Sequence, residues 1–124
     1  MSAPTFEGTA PLISDRFIMT FTAGEALSVG DIVELTGDYT VKKPTGVNSI
    51  KVVGVCLTNA ANGAKVTVVN RGFCHVKTLG TVNAGDQLVA SGGSAIADNS
   101  SKNTSVIGVA VKTASSNVCD AIIW

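Results

Sequence analysis

The sequence predicts an all-β fold: a small single-domain β-barrel or sandwich of short strands, with an internal two-fold repeat and an extended N-terminal arm. Three observations carry this prediction. Valine dominates the apolar residues, and β-branched side chains, stiff at χ1, pack well on a pleated surface. From Ala23 onward glycine punctuates the chain at Gly24, Gly30, Gly37, Gly46, Gly54, Gly63, Gly72, Gly80, Gly85 and Gly92-Gly93. Turn signals at that density separate short strands, and runs rich in Glu, Lys, Leu and Ala that would build long helices are absent. Finally, LSVGDIVEL (27–35) returns as VNAGDQLVA (82–90), so one pattern is used twice.

Residues 1–15 read as the arm, because Pro4 and Pro11 each remove a backbone donor and favour extended structure, and no helical period is present. Such an arm can order on a neighbouring subunit by adding to its sheet or groove. The β domain occupies 16–124. In RFIMTFT, Phe17, Met19 and Phe21 alternate with Ile18 and Thr20, which marks a strand over 17–22. Further strands are expected at 31–36, 39–43, 50–57, 64–70, 73–78, 86–90, 104–112 and 118–123. TGDYT (36–40) holds a tight hairpin turn, and the polar stretch SGGSAIADNSSKNTS (91–105) reads as a surface loop.

The repeat divides the domain into halves of approximately 23–78 and 79–124. Gly85 follows Gly30 by 55 residues, and Gly108 follows Gly54 by 54. VVGVCLTNAANGAKVTVV (52–69) then matches VIGVAVKTASSNVCDAIIW (106–124), with Val55 over Val109 and Ala60 over Ala114. One residue of slippage places Val66 over Ala121. Each half therefore reads as Gly-Asp, strand, hairpin, a strand containing Val/Ile-Gly-Val, a polar turn and a closing strand.

Composition narrows the function classes. A chain of 124 residues suits one domain that needs no metal or disulfide staple. Nine basic residues balance nine acidic ones, which argues against an electrostatic grip on nucleic acid or an anionic membrane. Only 15% of residues are charged, against about 25% on average, and Thr, Ser, Asn and Gly supply the polar surface. That balance suits contact surfaces packed side by side. No stretch approaches a membrane span, and MSAPTFEGTAP lacks the basic start and apolar core of a signal peptide, so synthesis in a cytoplasm is expected.

Site chemistry is sparse. Asp31 and Asp86 occupy equivalent places, but a turn explains them better than an acid/base pair. Gly30 and Gly85 can take positive φ, and the aspartate accepts local backbone hydrogen bonds before a strand begins. Gly54 and Gly108 are read as structural glycines of the repeated strand. His75 follows Cys74, yet neighbours on a strand point to opposite faces, so Cys74 goes inward with Val76 and His75 goes to a surface or interface. Cys56, Cys74 and Cys119 are odd in number and widely spaced, and are expected to be reduced, buried thiols. One histidine and scattered carboxylates make no metal set, no phosphate-cradling loop precedes a helix, and no cofactor is expected. Lys42-Lys43 precedes a proline, unlike the single hairpin-tip lysine of a biotinyl or lipoyl domain. Tyr39, Phe73 and Trp124 are too scattered to stack nucleic-acid bases. Trp124 itself is expected to pack, because AIIW continues an alternating apolar strand.

AGEALSVGDIVEL, YTVKKPTG and IKVVGVCLTNAANGAKVTVVNRGFCHVKT together resemble the capsid decoration, or head cement, proteins of tailed bacteriophages. The resemblance is carried by the Ala-Gly…Gly-Asp-x-Val pattern at 23–33, Val-x-Gly-Val at 52–55, Asn62-Gly63, and Gly72 with Val76. It covers 23–78 directly and the second half through the repeat. It implies a non-enzymatic protein on the outside of the virion capsid, clamping neighbouring major capsid protein subunits, commonly as a homotrimer. Pro4, Thr5, Phe6, Pro11, Leu12 and Ile13 of the arm would then contact capsid or a neighbouring protomer. The alternatives are another virion structural subunit, from a tail or fibre, and a small-ligand or carbohydrate-binding β-barrel accessory domain. The last needs a concave, aromatic-lined cleft.

Overall fold

The computed structural model describes residues 16–98 and 105–124, so the arm and the first residue of the expected 104–112 strand lie outside the described residues. Nine strands follow in order: β1 (Arg16–Ala23), β2 (Ile32–Gly37), β3 (Thr40–Lys42), β4 (Val52–Cys56), β5 (Lys65–Lys77), β6 (Gln87–Ser91), β7 (Ser94–Ala97), β8 (Gly108–Ala110) and β9 (Val118–Ile123). No helix occurs among the described residues. The sheet order is β1-β3-β2-β4-β5-β9-β8-β6-β7, and β1 also pairs with β5. That extra pairing closes the first five strands into a barrel, here called ring one, and the fold is all-β. Beyond it, β9, β8, β6 and β7 curl back towards the end of β5, where a parallel bridge joins Thr78 to Ala95. This second turn of sheet is ring two.

The register repeats from one ring to the other. In ring one Thr22 pairs with Lys65 and Phe21 with Val66; in ring two Lys77 pairs with Val118 and Val76 with Cys119. Ile32–Val55 and Val33–Gly54 have their counterparts in Gln87–Val109 and Leu88–Gly108. The parallel pair Ala23–Val41 recurs as Thr78–Ala95. These ladders correct the sequence alignment in one respect. Val66 stands over Cys119, not Ala121, because the polar turn before the last strand is one residue shorter in the second half, and slippage runs the other way.

Two expected strands, 64–70 and 73–78, form one strand of 13 residues, β5, which runs through both rings. The device that lets it do so is a bulge. Phe17 pairs with Arg71 and Ile18 with Val69, leaving Asn70 as the extra residue on β5. An inserted residue inverts the inside–outside alternation. Val66 and Val68 therefore face into ring one, whereas Val69, outside ring one, shares its side with Cys74 and Val76 inside ring two. Gly72, the residue before this second stretch, tolerates φ +106° at the bend.

The expected loop 91–105 is also corrected. Its first part turns at Gly92-Gly93 and forms β7, with Ala95 fully buried against β6. Small residues and low local hydropathy masked a strand that burial of one methyl group and backbone pairing suffice to hold.

Burial divides the core in two. Phe21, Ala23, Leu27, Val33, Val41, Cys56, Val66 and Val68 fill ring one. Cys74, Val76, Val82, Leu88, Ala95, Ala110, Cys119 and Ala121 fill ring two, joined by Ile32, Val55 and Val69 from the outside of ring one. The outer face of the first ring is thus the lid of the second. The Ile32 N–H donates to the Gly93 carbonyl across this junction at 2.8 Å.

Candidate functional site

The two Gly-Asp pairs build the same local structure. Gly30 sits at φ +91° and Gly85 at +93°, a region in which a side chain is strained. The Gly30 N–H donates to the Cys56 carbonyl at 2.9 Å, and the Gly85 N–H to Ala110 at 2.7 Å. Each aspartate then caps its own turn: the Ser28 N–H donates to Asp31 Oδ2 and the Asn83 N–H to Asp86 Oδ2, both at 2.8 Å. The two carboxylates lie on separate turns with different surroundings. Asp31 is buried, and Lys77 Nζ reaches its Oδ1 at 2.7 Å while also donating to Ser28 Oγ at 2.6 Å. Asp86 has no such cation among the described contacts and is half-buried. The Lys77 link fastens the end of β5 to the turn before β2, so Asp31 ties the two rings together, a role invisible in the motif alone.

Gly54 and Gly108 mark the tightest backbone approach in each ring. A Cβ on Gly54 would collide with the Val69 carbonyl oxygen, and one on Gly108 with the Ile122 carbonyl oxygen. The glycine of Val/Ile-Gly-Val is required because the neighbouring strand's backbone occupies the place of a side chain.

His75 lies on the outside of ring two, with Nδ1 2.6 Å from Asp120 Oδ1 and its ring edge-on to Phe73 at 5.3 Å. Its side chain is 57% exposed. The three cysteines are free and buried. Burial, reinforced by the Asp31 charge, pushes the Cys56 thiol up to about 12, and burial raises Cys74 to about 12 as well. The Cys119 thiol is raised for the same reason and donates to the Lys112 carbonyl at 3.0 Å. Protonated thiols are poor nucleophiles and poor metal ligands. Among the described residues no group of three or more His, Cys, Asp and Glu comes together to hold a metal.

What the described surface offers is apolar area. Phe17 is 62% exposed, Tyr39 67% and Leu35 41%, with Met19 also exposed; Leu35 and Tyr39 line the mouth of ring one. Ile122 and Val111 are also exposed, on the outer face of ring two. Trp124, expected to pack, is 56% exposed beside Ile50 at the edge of a groove between the rings. Its backbone N–H is tied to Ile107, but more than half of the residue stays exposed. The groove encloses about 140 Å³ and the mouth, lined by Phe21 and Tyr39, about 270 Å³. Both fall short of the roughly 300 Å³ at which small-molecule sites begin. A crevice of about 320 Å³ along residues 45–51 has no aromatic lining. Sequence reading missed the mouth and the outer face, because exposure of an apolar strand face depends on which ring covers it. The arm residues Pro4, Thr5, Phe6, Pro11, Leu12 and Ile13 lie outside the described residues.

Comparison with known proteins agrees with a contact protein. No curated protein matches the chain. Among solved structures, the N base of the head fiber gp8.5 in bacteriophage phi29 is similar in fold, with a TM-score of 0.66 at 18% identity. The match covers 87% of this chain and 93% of that one. A family model described as phage cement protein matches residues 13–122, spanning both rings. That family is structural and not enzymatic, and its place is the virion capsid. With both halves of the repeat inside the match, the chain belongs to the phage cement protein family, whose members decorate and stabilise the capsid.

Proposed function

We propose that this cement protein binds the outer surface of the assembled phage head as a homotrimer and bridges neighbouring major capsid protein subunits. The observation that carries this reading is the combination of family membership with exposed apolar surface on both rings of a chain with zero net charge. Zero net charge lets many copies sit side by side with little self-repulsion. The N-terminal arm, through Pro4, Thr5, Phe6, Pro11, Leu12 and Ile13, supplies a second grip on capsid or on a neighbouring protomer. Several weak contacts on one trimer then multiply through effective concentration. The protein works without cofactor, nucleic acid or membrane, performs no catalysis, and is synthesised in the host cytoplasm before joining the head.

Deleting residues 2–15 tests the arm. The truncated protein is expected to keep its β circular-dichroism spectrum and to lose at least about ten-fold in affinity for purified capsids, measured by co-sedimentation. Equal decoration by the truncated and intact proteins removes the arm from the mechanism. A second reading, a subunit of a head-attached fibre, draws on the phi29 head fiber likeness. It predicts an elongated projection from each attachment site, whereas a cement protein lies against the shell, so electron microscopy of decorated heads separates the two.

A further inference from the structure

The internal repeat shows what the mouth of a ring binds. In ring two the mouth is shut: Cys74, Ala90 and the Gly93 turn lie under Ile32, Val55 and Val69 from the outer face of ring one. Those three lid residues are 0%, 1% and 0% exposed. The ladders give these strand positions counterparts, and the turn residues Gly93 and Tyr39 correspond because each immediately precedes an equivalent strand, β7 or β3. The mouth positions Cys74, Ala90 and Gly93 correspond in ring one to Met19, Leu35 and Tyr39, all exposed. The lid positions Ile32, Val55 and Val69 correspond in ring two to Gln87, Val109 and Ile122, where Gln87 and Ile122 are exposed and Val109 is half-buried. Among the described residues, each copy therefore leaves uncovered one mouth and one lid of the pair that is joined inside the chain.

We infer that the chain associates head to tail with a second copy, the outer face of ring two of one protomer closing the mouth of ring one of the next. This rests on the self-association in the proposed function and names its surfaces. Two details fit a reversible contact between molecules. Gln87 replaces Ile32 and Tyr39 replaces Gly93, so the free pair is more polar and bulkier than the buried one. Tyr39 is also held at φ +51°, a conformation that Gly and Asn enter far more readily, with its carbonyl accepting from the Thr22 N–H at 2.6 Å. That backbone geometry sits where Tyr39 lines the mouth. A contact between two different faces leads to a closed ring, or to a filament if the rotation does not close.

Complementation tests the contact. Ile122→Asp damages only the lid, and Tyr39→Asp only the mouth, at a φ that aspartate tolerates. Sedimentation velocity is expected to give an oligomer for the native protein, self-association about ten-fold or more weaker for each variant, and a discrete heterodimer for their 1:1 mixture. The mixture is decisive, since it joins one intact lid to one intact mouth and leaves both ends blocked. A native protein that stays monomeric, a variant that associates like the native one, or a mixture that stays monomeric overturns the inference; the last result assigns the mouth to the arm or to capsid protein. If Ile122→Asp fails to fold, Ile122→Ser replaces it. Capsid binding by the monomeric variants is measured separately, so the cement reading can stand while this contact falls.

Discussion

Ring one and ring two follow one plan and are filled differently. Ring one holds Phe21, Leu27, Val41, Cys56, Val66 and Val68 where ring two has Val76, Val82, Ala95, Ala110, Cys119 and Ala121. The second ring has the smaller side chains at nearly every position. Its core is completed from outside, by Ile32, Val55 and Val69 of its neighbour. A duplicated unit need not bury its apolar surface twice in the same way. Once one copy serves as the lid of the other, the inner ring can shrink its own core, and the outer faces left over become surface for other molecules.

The largest effect that breaks this comparison comes from the glycines common to both rings. Gly54→Ala and Gly108→Ala each drive a methyl group into a backbone carbonyl, and each is expected to cost more than about 3 kcal/mol of stability in urea unfolding. Gly54→Ala is the worse of the two, since the added carbon also lies 2.6 Å from Val68 Cγ1. If one is tolerated, the rings do not share that close approach.

The aspartates separate the rings. Asp31→Ala removes the cap of its turn and the partner of Lys77, and is expected to cost about 2–3 kcal/mol. Asp86→Ala removes a cap on an exposed turn and is expected to cost about 1 kcal/mol or less. Equal losses would mean that the Lys77 link contributes nothing to holding the rings together.

The thiols extend the contrast to pH. In the unfolded chain Cys56 and Cys74 ionise around 9.0, and in the folded chain only near 12. Between those values the folded state holds the protons that the unfolded state has lost, so stability falls as pH rises. Each thiol contributes a slope of about 1.4 kcal/mol per pH unit. Ring two has Ala110 at the place of Cys56, and Cys56→Ala is expected to remove one such slope from alkaline unfolding curves. An unchanged slope would show that the thiol is not held protonated.

A small effect of the opposite sign concerns Thr78, the counterpart of Ala23. Its Oγ1 is buried without a hydrogen-bond partner among the described residues. Thr78→Val keeps the shape and removes the unpaired hydroxyl, and is expected to raise stability by about 1 kcal/mol in thermal unfolding. Destabilisation would reveal a partner for the hydroxyl.

Much of this was legible in residues. Strand positions, the closing hairpins and the burial of all three cysteines follow from alternation and from turn chemistry, which act over a few residues. β7 was legible too, through the repeat: Ser94 lies 54 residues after Thr40, so the offset applied to β3 points to it, although local polarity hid it. The merging of two strands into β5 was not. It depends on Asn70 being the extra residue opposite β1, and the extra residue in a bulge is identified only by its partner strand.

Family membership, the all-β class and the doubled motif were therefore written in the order of the amino acids, because glycine spacing, β-branching and turn residues act locally and recur. Which apolar faces stay open was decided only by tertiary structure. Ile32 and Gln87 head equivalent strands, and Val69 and Ile122 pair with the equivalent residues Val55 and Val109, yet the first of each pair is sealed and the second faces solvent. The bulge at Asn70 turns the outside of one ring into the lid of the other, and no strand among the described residues lies over the outer face of the second.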